Sequence, residues 1–255
     1  MITNKKITDM KIQELKQGTT EQYSLEWWRE RLGKITGSEA WKLMSKGRKK
    51  EQKFSATGIK YLCKVRGERF LDPDMLADDE EFGNWINRCQ KSSKAMEWGH
   101  NQEGNALGTF SELVNIDEDI APVFGGLAIK TVGSCGHPTI DGFNSSPDGV
   151  MVNADGDVIA CIEIKCPDTD THAFYTEMLT DAASLLEEKP EYYWQTMSHM
   201  AVTGASCTFF IWYDPAMYES CQYIMIPRDD EAIAQLEQKV KDAREGIEKG
   251  IKSLV

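Results

Sequence analysis

Two carboxylates and a lysine stand out by type and spacing. Asp148 lies in Ser146-Pro147-Asp148-Gly149-Val150; Glu163 and Lys165 lie in Cys161-Ile162-Glu163-Ile164-Lys165-Cys166-Pro167. Between them sits Asp155-Gly156. Asp-Gly is a strong hairpin signal, because a two-residue type I′ loop needs φ > 0 at both central positions. With Asp155-Gly156 as that loop, Ala154 faces Asp157 and Asp148 faces Glu163 across the ladder. Directly opposed residues have Cβ atoms about 4.5–5.5 Å apart. Lys165, two residues on, points to the same face. Opposed carboxylates repel unless a cation neutralises them. Hard oxygen ligands without a His/Cys set favour Mg²⁺ or Mn²⁺. A lysine beside them can orient or deprotonate a water, or stabilise charge on a phosphate. A bare E-x-K is ordinarily a surface pair; the apolar flanks Val150, Ile162 and Ile164 set this one apart. A β-bulge in the hairpin would shift the register.

The elements that must position this set follow from pattern. Ser55 to Arg69 reads as a helix with Ser55 as N-cap. Ser92 to Val114 reads as a helix weakened by Gly99, Gly104 and Gly108. From about Asn115 short strand-like runs follow, and Asp148 to Cys166 looks like two strands. Thr169 to Leu179 and Tyr192 to Val202 read as helices, Cys207 to Trp212 and Gln222 to Ile226 as strands turning at Asp214-Pro215. Asp229 to Lys252 is a long charged helix. Pro73 and Asp78-Asp79-Glu80-Glu81 suggest a surface loop between helices. The expectation is one α/β domain, a central mixed sheet flanked by helices.

The chain has 255 residues, 41% hydrophobic and 27% charged, as in an ordinary soluble protein large enough for its own core. No apolar run approaches the roughly 18 residues of a membrane span, and Met1 to Lys6 precede no apolar stretch, so neither a membrane anchor nor a secretory signal is expected. Seven scattered cysteines then read as reduced thiols. Cys161/Cys166 and Cys135-Gly136-His137 are poor zinc spacings. Gly33-Lys34 is followed by Ile35 and lacks the earlier glycine of a P-loop. The net charge of −12 argues against a polyanion partner, but the charge is uneven. Residues 29–69 hold 13 Lys/Arg against 4 Asp/Glu, and residues 70–119 hold 3 against 12. One basic segment, either an anion-binding face or a solvated helical surface, is embedded in an acidic protein.

Pro147-Asp148 followed by Glu163-Ile164-Lys165 resembles the PD-(D/E)XK nuclease signature, which implies a restriction-endonuclease-like core. The resemblance extends to phage-lambda-type recombination exonucleases of the YqaJ-like family. Trp27 to Glu39 looks like that family's first motif, and Trp98-Gly99-His100-Asn101-Gln102-Glu103 like its helical W-G-x-x-x-E. Ser145 to Gly149 and Glu163 to Pro167 look like its core, Tyr192-Tyr193-Trp194-Gln195 like its glutamine motif, and Trp212 to Pro215 like the following strand. These motifs run in the family's order over residues 24–228, which makes 1–23 an N-terminal extension and 229–255 a C-terminal helix; 1–23 and 72–81 match no part of the pattern, and His199 falls where relatives vary.

The resemblance implies a metal-dependent, ATP-independent 5′-to-3′ exonuclease on double-stranded DNA ends that leaves 3′ overhangs. It implies two Mg²⁺ ions per site (with Mn²⁺ as substitute), a homotrimeric ring, and a single-strand annealing protein as partner. The setting it implies is the cytoplasm of a bacterial host, with phage or prophage origin. Asp148 would bridge the metals, Glu163 would hold one, the Ile164 carbonyl would be a further ligand, and Glu103 would approach from its helix. Lys165 would position the attacking water, and Gln195 would hold the nucleophile or the scissile phosphate. Arg31, Ser38 and Ser146 would bind a 5′-terminal phosphate, as an arginine fork and hydroxyls suit. Arg48, Lys49, Lys50 and Lys53 would contact backbone phosphates without sequence preference. Trp27, Trp28, Trp41 and Trp98 could stack on bases, although such residues are more often core. Rival readings are another PD-(D/E)XK repair endonuclease, an iron–sulfur nuclease disfavoured by the isolated Cys207 and Cys221, and a non-catalytic DNA-end scaffold.

Overall fold

The computed structural model describes residues 11–19, 21–47, 52–89 and 94–254. Its larger sheet has the order β3 (Ala128–Lys130), β6 (Gly149–Val152), β7 (Val158–Lys165), β8 (Cys207–Tyr213), β9 (Cys221–Pro227). Only β7 and β8 are parallel, so the sheet is mixed, as expected. Both faces are covered, which is why the central strands read as near-continuous apolar runs. Alternation sends Cys161 toward a core with Phe210, Trp212 and Ile224, and Ile162 and Ile164 toward a second core with Phe209 and Ile211.

The hairpin between β6 and β7 departs from the two-residue loop. Ala154, Asp155 and Gly156 form a three-residue loop closed by Asn153 and Asp157, with Gly156 at φ +85° where a side chain would be strained. The longer loop puts Val152 opposite Val158. A bulge at Ile159 then shifts the ladder back by one residue, so Met151 faces Ala160 and Gly149 faces Ile162. The two departures cancel. Asp148, one residue before β6, arrives level with Glu163 as expected, and its backbone N–H donates to the Ile162 carbonyl at 3.0 Å.

A second sheet, not foreseen, has the order β1 (Lys16–Gln17), β4 (Cys135–Gly136), β5 (Phe143–Ser145), β2 (Ile35–Thr36). Its strands are two or three residues long, too short to leave a periodic signal. It matters because β2 runs parallel to β5, with Ile35 opposite Phe143 and Thr36 opposite Asn144. That pairing carries Gly37-Ser38 alongside Ser145-Ser146.

The helices are α1 (Leu25–Arg31), α2 (Trp41–Met44), α3 (Ala56–Glu68), α4 (Pro73–Ala77), α5 (Asp79–Cys89), α6 (Lys94–Ile116), α7 (Ala121–Phe124), α8 (Thr169–Met178), α9 (Ala182–Glu188), α10 (Pro190–Thr203) and α11 (Asp230–Lys249). Ser55 caps α3 as expected, accepting from the Gly58 amide at 3.0 Å. α6 persists through its glycines because Ala106, Phe110 and Val114 form a stripe buried against the sheet. α10 starts on Pro190, ends at Gly204 with φ +76°, and buries every residue from Thr196 to Thr203. The segment read as an acidic loop is helical instead. Pro73 occupies the first turn of α4 behind an Asp72 cap, and Asp79, Glu80 and Glu81 form the first turn of α5, where acidic groups favour the helix dipole. Arg29 ties this segment to α1, donating to the Leu76 carbonyl at 2.9 Å, pairing with Asp79 and lying over Phe82.

Candidate active site

One cleft of about 420 Å³ gathers nearly all the residues singled out for chemistry: Asp148, Glu163, Ile164 and Lys165 from the hairpin, Glu103 from α6, Gln195 from α10, and Arg31, Ser38 and Ser146 at one end. The charged strand residues face it because Glu163 and Lys165 share one side of β7, and both ends of the hairpin meet at Asp148.

Asp148 Oδ2 accepts from the Ile164 amide at 2.6 Å. The Lys165 ammonium bonds Glu163 Oε1, and His199 Nε2 lies 2.6 Å from Glu163 Oε2. Burial, then the negative charge of Glu163, pushes the Asp148 carboxyl well above the usual aspartate range. Burial would also raise Glu163, but Lys165 and the His199 hydrogen bond outweigh it and hold this carboxyl below its ordinary value. Burial works against the Lys165 ammonium, yet Glu163 and Asp148 together hold it above the usual lysine value. Glu103 is raised, chiefly by burial. It stands further out, with Oε1 3.4 Å from the Tyr23 hydroxyl and Oε2 3.5 Å from His100 Nδ1.

Among the described residues, no three His, Cys, Asp or Glu side chains form a ready-made metal cage. The donor chemistry nevertheless suits a hard divalent cation. Fully ionised, Asp148, Glu163 and Glu103 would set three negative charges against the single positive charge of Lys165, and burial together with the charge of Glu163 makes Asp148 resist that ionisation.

At the other end of the cleft, Arg31 Nη1 donates to Ser146 Oγ at 2.9 Å and Nη2 to Ser38 Oγ at 3.4 Å. The guanidinium lies 4.1 Å from the Trp27 ring centre, which fixes its plane. Burial lowers the Arg31 pKa, as expected of a cation drawn out of water. The Gly37 backbone passes so close to β5 that a Cβ there would lie 2.0 Å from Ser145 Oγ. Glycine therefore lets Ser38 and Ser146 reach the same guanidinium.

Arg48, Lys49 and Lys50 lie outside the described residues. Lys53 is apart from the cleft, 3.6 Å from Asp242 on α11. Much of the basic segment serves the protein itself: Arg66 donates to the Ile247 carbonyl, Arg69 to the Gly33 carbonyl and Lys42 pairs with Glu39. Arg31, Lys34 and Lys64 line the cleft. Of the four tryptophans considered for base stacking, Trp27 is core, Trp28 and Trp41 are half-buried, and Trp98 is exposed. All seven cysteines are free thiols.

Three features in or behind the cleft went unassigned in the sequence. Tyr23 holds a left-handed backbone at φ 68°, uncommon for a non-glycine residue, and places its ring against Trp27 and His100. Trp85 enters from α5, in the segment whose start matched no motif. His199 lies behind Glu163, and only its place one helical turn after Gln195 could have marked it.

Residues 26–206 match the YqaJ-like viral recombinase domain. The fold is similar to an alkaline exonuclease from Laribacter hongkongensis, at 27% identity and TM-score 0.66 over 91% of this chain and 96% of that one. The same enzyme in complex with dAMP gives 28% identity and TM-score 0.66 over the same shares. A phage-related exonuclease from Haemophilus somnus 129PT shares the fold at 15% identity and TM-score 0.52, over 87% of this chain and 96% of that one. No curated protein matches the chain. The core is thus of the PD-(D/E)XK exonuclease type, with two mixed sheets flanked by helices. No helix among the described residues is long and apolar enough to cross a membrane.

Proposed function

The chain belongs to the YqaJ-like viral recombinase family, and from that membership we propose that it is a DNA exonuclease that digests duplex ends from the 5′ side. One observation carries the reading: a single cleft joins the Asp148–Glu163–Lys165 set to an arginine that bridges two hydroxyls. The first is chemistry for a phosphodiester, the second a seat for a terminal phosphate.

In this reading Arg31, Ser38 and Ser146 grip the 5′-terminal phosphate, the guanidinium supplying a planar fork of donors. The next phosphodiester then falls toward Asp148 and Glu163. These two carboxylates, the Ile164 carbonyl and, directly or through water, Glu103 would hold Mg²⁺. The metal pair would supply charge neutralisation at the attacking and leaving oxygens of an in-line displacement. Lys165 orients the attacking water from the Glu163 side, and Gln195 steadies the water or the scissile phosphate. The product is a 3′ overhang fit for a single-strand annealing partner.

Exonucleases that stay on their substrate need a way to hold it, and a chain at −12 is a poor free binder of DNA. A closed trimeric ring answers this, with the basic 29–69 segments facing a central channel and the acidic surface outward. Sedimentation equilibrium should then return roughly three times 28.8 kDa, and a stable monomer would rule the ring out. Polarity is tested with linear duplex labelled at the 5′ or the 3′ end. Early release of the 5′ label, dependent on Mg²⁺, supports the reading; early release of the 3′ label contradicts it.

A further inference from the structure

Glu163 is held from behind as well as from the front. His199 on α10 is fully buried, and its two ring nitrogens face two different partners: Glu163 Oε2 at 2.6 Å and Ser145 Oγ at 2.8 Å. An ionised carboxylate can only accept, so the Nε2 proton belongs to the Glu163 bond. With the ring neutral, Nδ1 is the acceptor and the Ser145 hydroxyl donates to it. Imidazole presents two ring nitrogens from one rigid plane, one for each of these partners. The ring lies on the same face of α10 as Gln195, one turn deeper.

We propose that His199 is a positioning residue, which fixes the Glu163 carboxylate with Oε1 toward the cleft and couples it through Ser145 to the phosphate-binding end. The proposal rests on the exonuclease reading of the cleft. A buried glutamate has three side-chain torsions to fix. Lys165 restrains one oxygen from a flexible stem, whereas His199 restrains the other from a rigid ring. Ser145 precedes Ser146, the hydroxyl that Arg31 holds, and the Gly37 backbone bears directly on Ser145 Oγ. The line Glu163–His199–Ser145 therefore runs beneath the cleft from the carboxylates to the Ser38/Ser146 pocket. Hydrogen-bond partners of ligating groups typically contribute tenfold to a hundredfold in metal affinity or activity.

The test compares His199→Leu, His199→Gln and Ser145→Ala in the full chain. Mn²⁺ affinity is measured by calorimetry without DNA, alongside kcat, KM for duplex ends and thermal unfolding. His199→Leu should lose about tenfold to a hundredfold in Mn²⁺ affinity and in kcat, with KM unchanged. His199→Gln, whose amide can donate to Glu163, should regain most of the loss, and Ser145→Ala should lose less than His199→Leu. A folded His199→Leu with wild-type Mn²⁺ affinity overturns the proposal, as does a glutamine variant no better than leucine. Should the leucine variant fail to fold, unchanged Mn²⁺ affinity in Ser145→Ala overturns it equally. A wild-type chain that binds Mn²⁺ yet releases no nucleotides refutes the exonuclease reading alone, and leaves the affinity comparison to decide the role of His199.

Discussion

The Asp148 carboxylate accepts the Ile164 backbone amide at 2.6 Å, so the acid is anchored to the strand residue that separates Glu163 from Lys165. That bond joins the two halves of the hairpin at the point where the cleft charge is densest. It holds a group that burial and Glu163 make reluctant to ionise.

Asp148→Asn keeps an acceptor for the Ile164 amide and removes the charge. The folded pKa of Asp148 is raised, so above the ordinary aspartate range the unfolded chain has lost a proton that the folded chain still holds. Stability without metal must then fall as pH rises from that range through the folded pKa. The asparagine variant should unfold at higher temperature than wild type in EDTA at neutral pH, by about 2–4 °C for each kcal/mol gained, and should lack this decline. It should also lose Mn²⁺ binding and nuclease activity. Coincident melting profiles across pH would show that the carboxyl is not under this load.

Lys165→Met should act in the opposite direction on stability. It leaves Glu163 and Asp148 buried without their ammonium, so the metal-free protein should melt lower than wild type. Turnover should fall about a hundredfold or more, the scale of one positioned catalytic group, while DNA binding is retained. A variant with wild-type kcat would remove Lys165 from the chemistry.

Arg31→Ala should equalise the digestion rates of 5′-phosphorylated and 5′-hydroxyl duplex, which in wild type should favour the phosphate. Mn²⁺ affinity should not change, because Asp148 and Glu163 keep their own partners. Persistent discrimination between the two ends would locate the phosphate seat elsewhere.

Gly37→Ala drives a methyl into Ser145 Oγ, which His199 already engages. Overpacking of this kind costs about 1–3 kcal/mol. Denaturant unfolding should report that loss, and combining it with Ser145→Ala should return part of it, since the two residues share the contact. Simple additivity of the two changes would mean that the loop bears on something else.

The level pairing of Asp148 with Glu163 was legible because strand side chains alternate with period two and Asp-Gly marks a turn. The route to it was not: the extra loop residue and the bulge at Ile159 leave no signature, and the pairing survived because they offset each other. The second sheet escaped for a different reason. β2 and β5 are too short for alternation, yet their parallel pairing is what brings Ser38 to Ser146. From Thr196 to Thr203 α10 is buried all round, so no apolar stripe could say which way His199 points. The acidic run at 78–81 opens a helix rather than a loop, and the sequence does not separate the two because charge and a nearby proline mark helix starts as well as loops.

Degradation of DNA from its ends by the cleft of Asp148, Glu163 and Lys165 is read out by nucleotide release from linear duplex. Wild type should release mononucleotides from linear but not covalently closed circular DNA, with Mg²⁺ and not with EDTA. Asp148→Asn and Glu163→Gln should release none, although both remain folded. Release by either variant at the wild-type rate, or cleavage of the closed circle as fast as the linear form, would exclude end-directed cleavage by these residues.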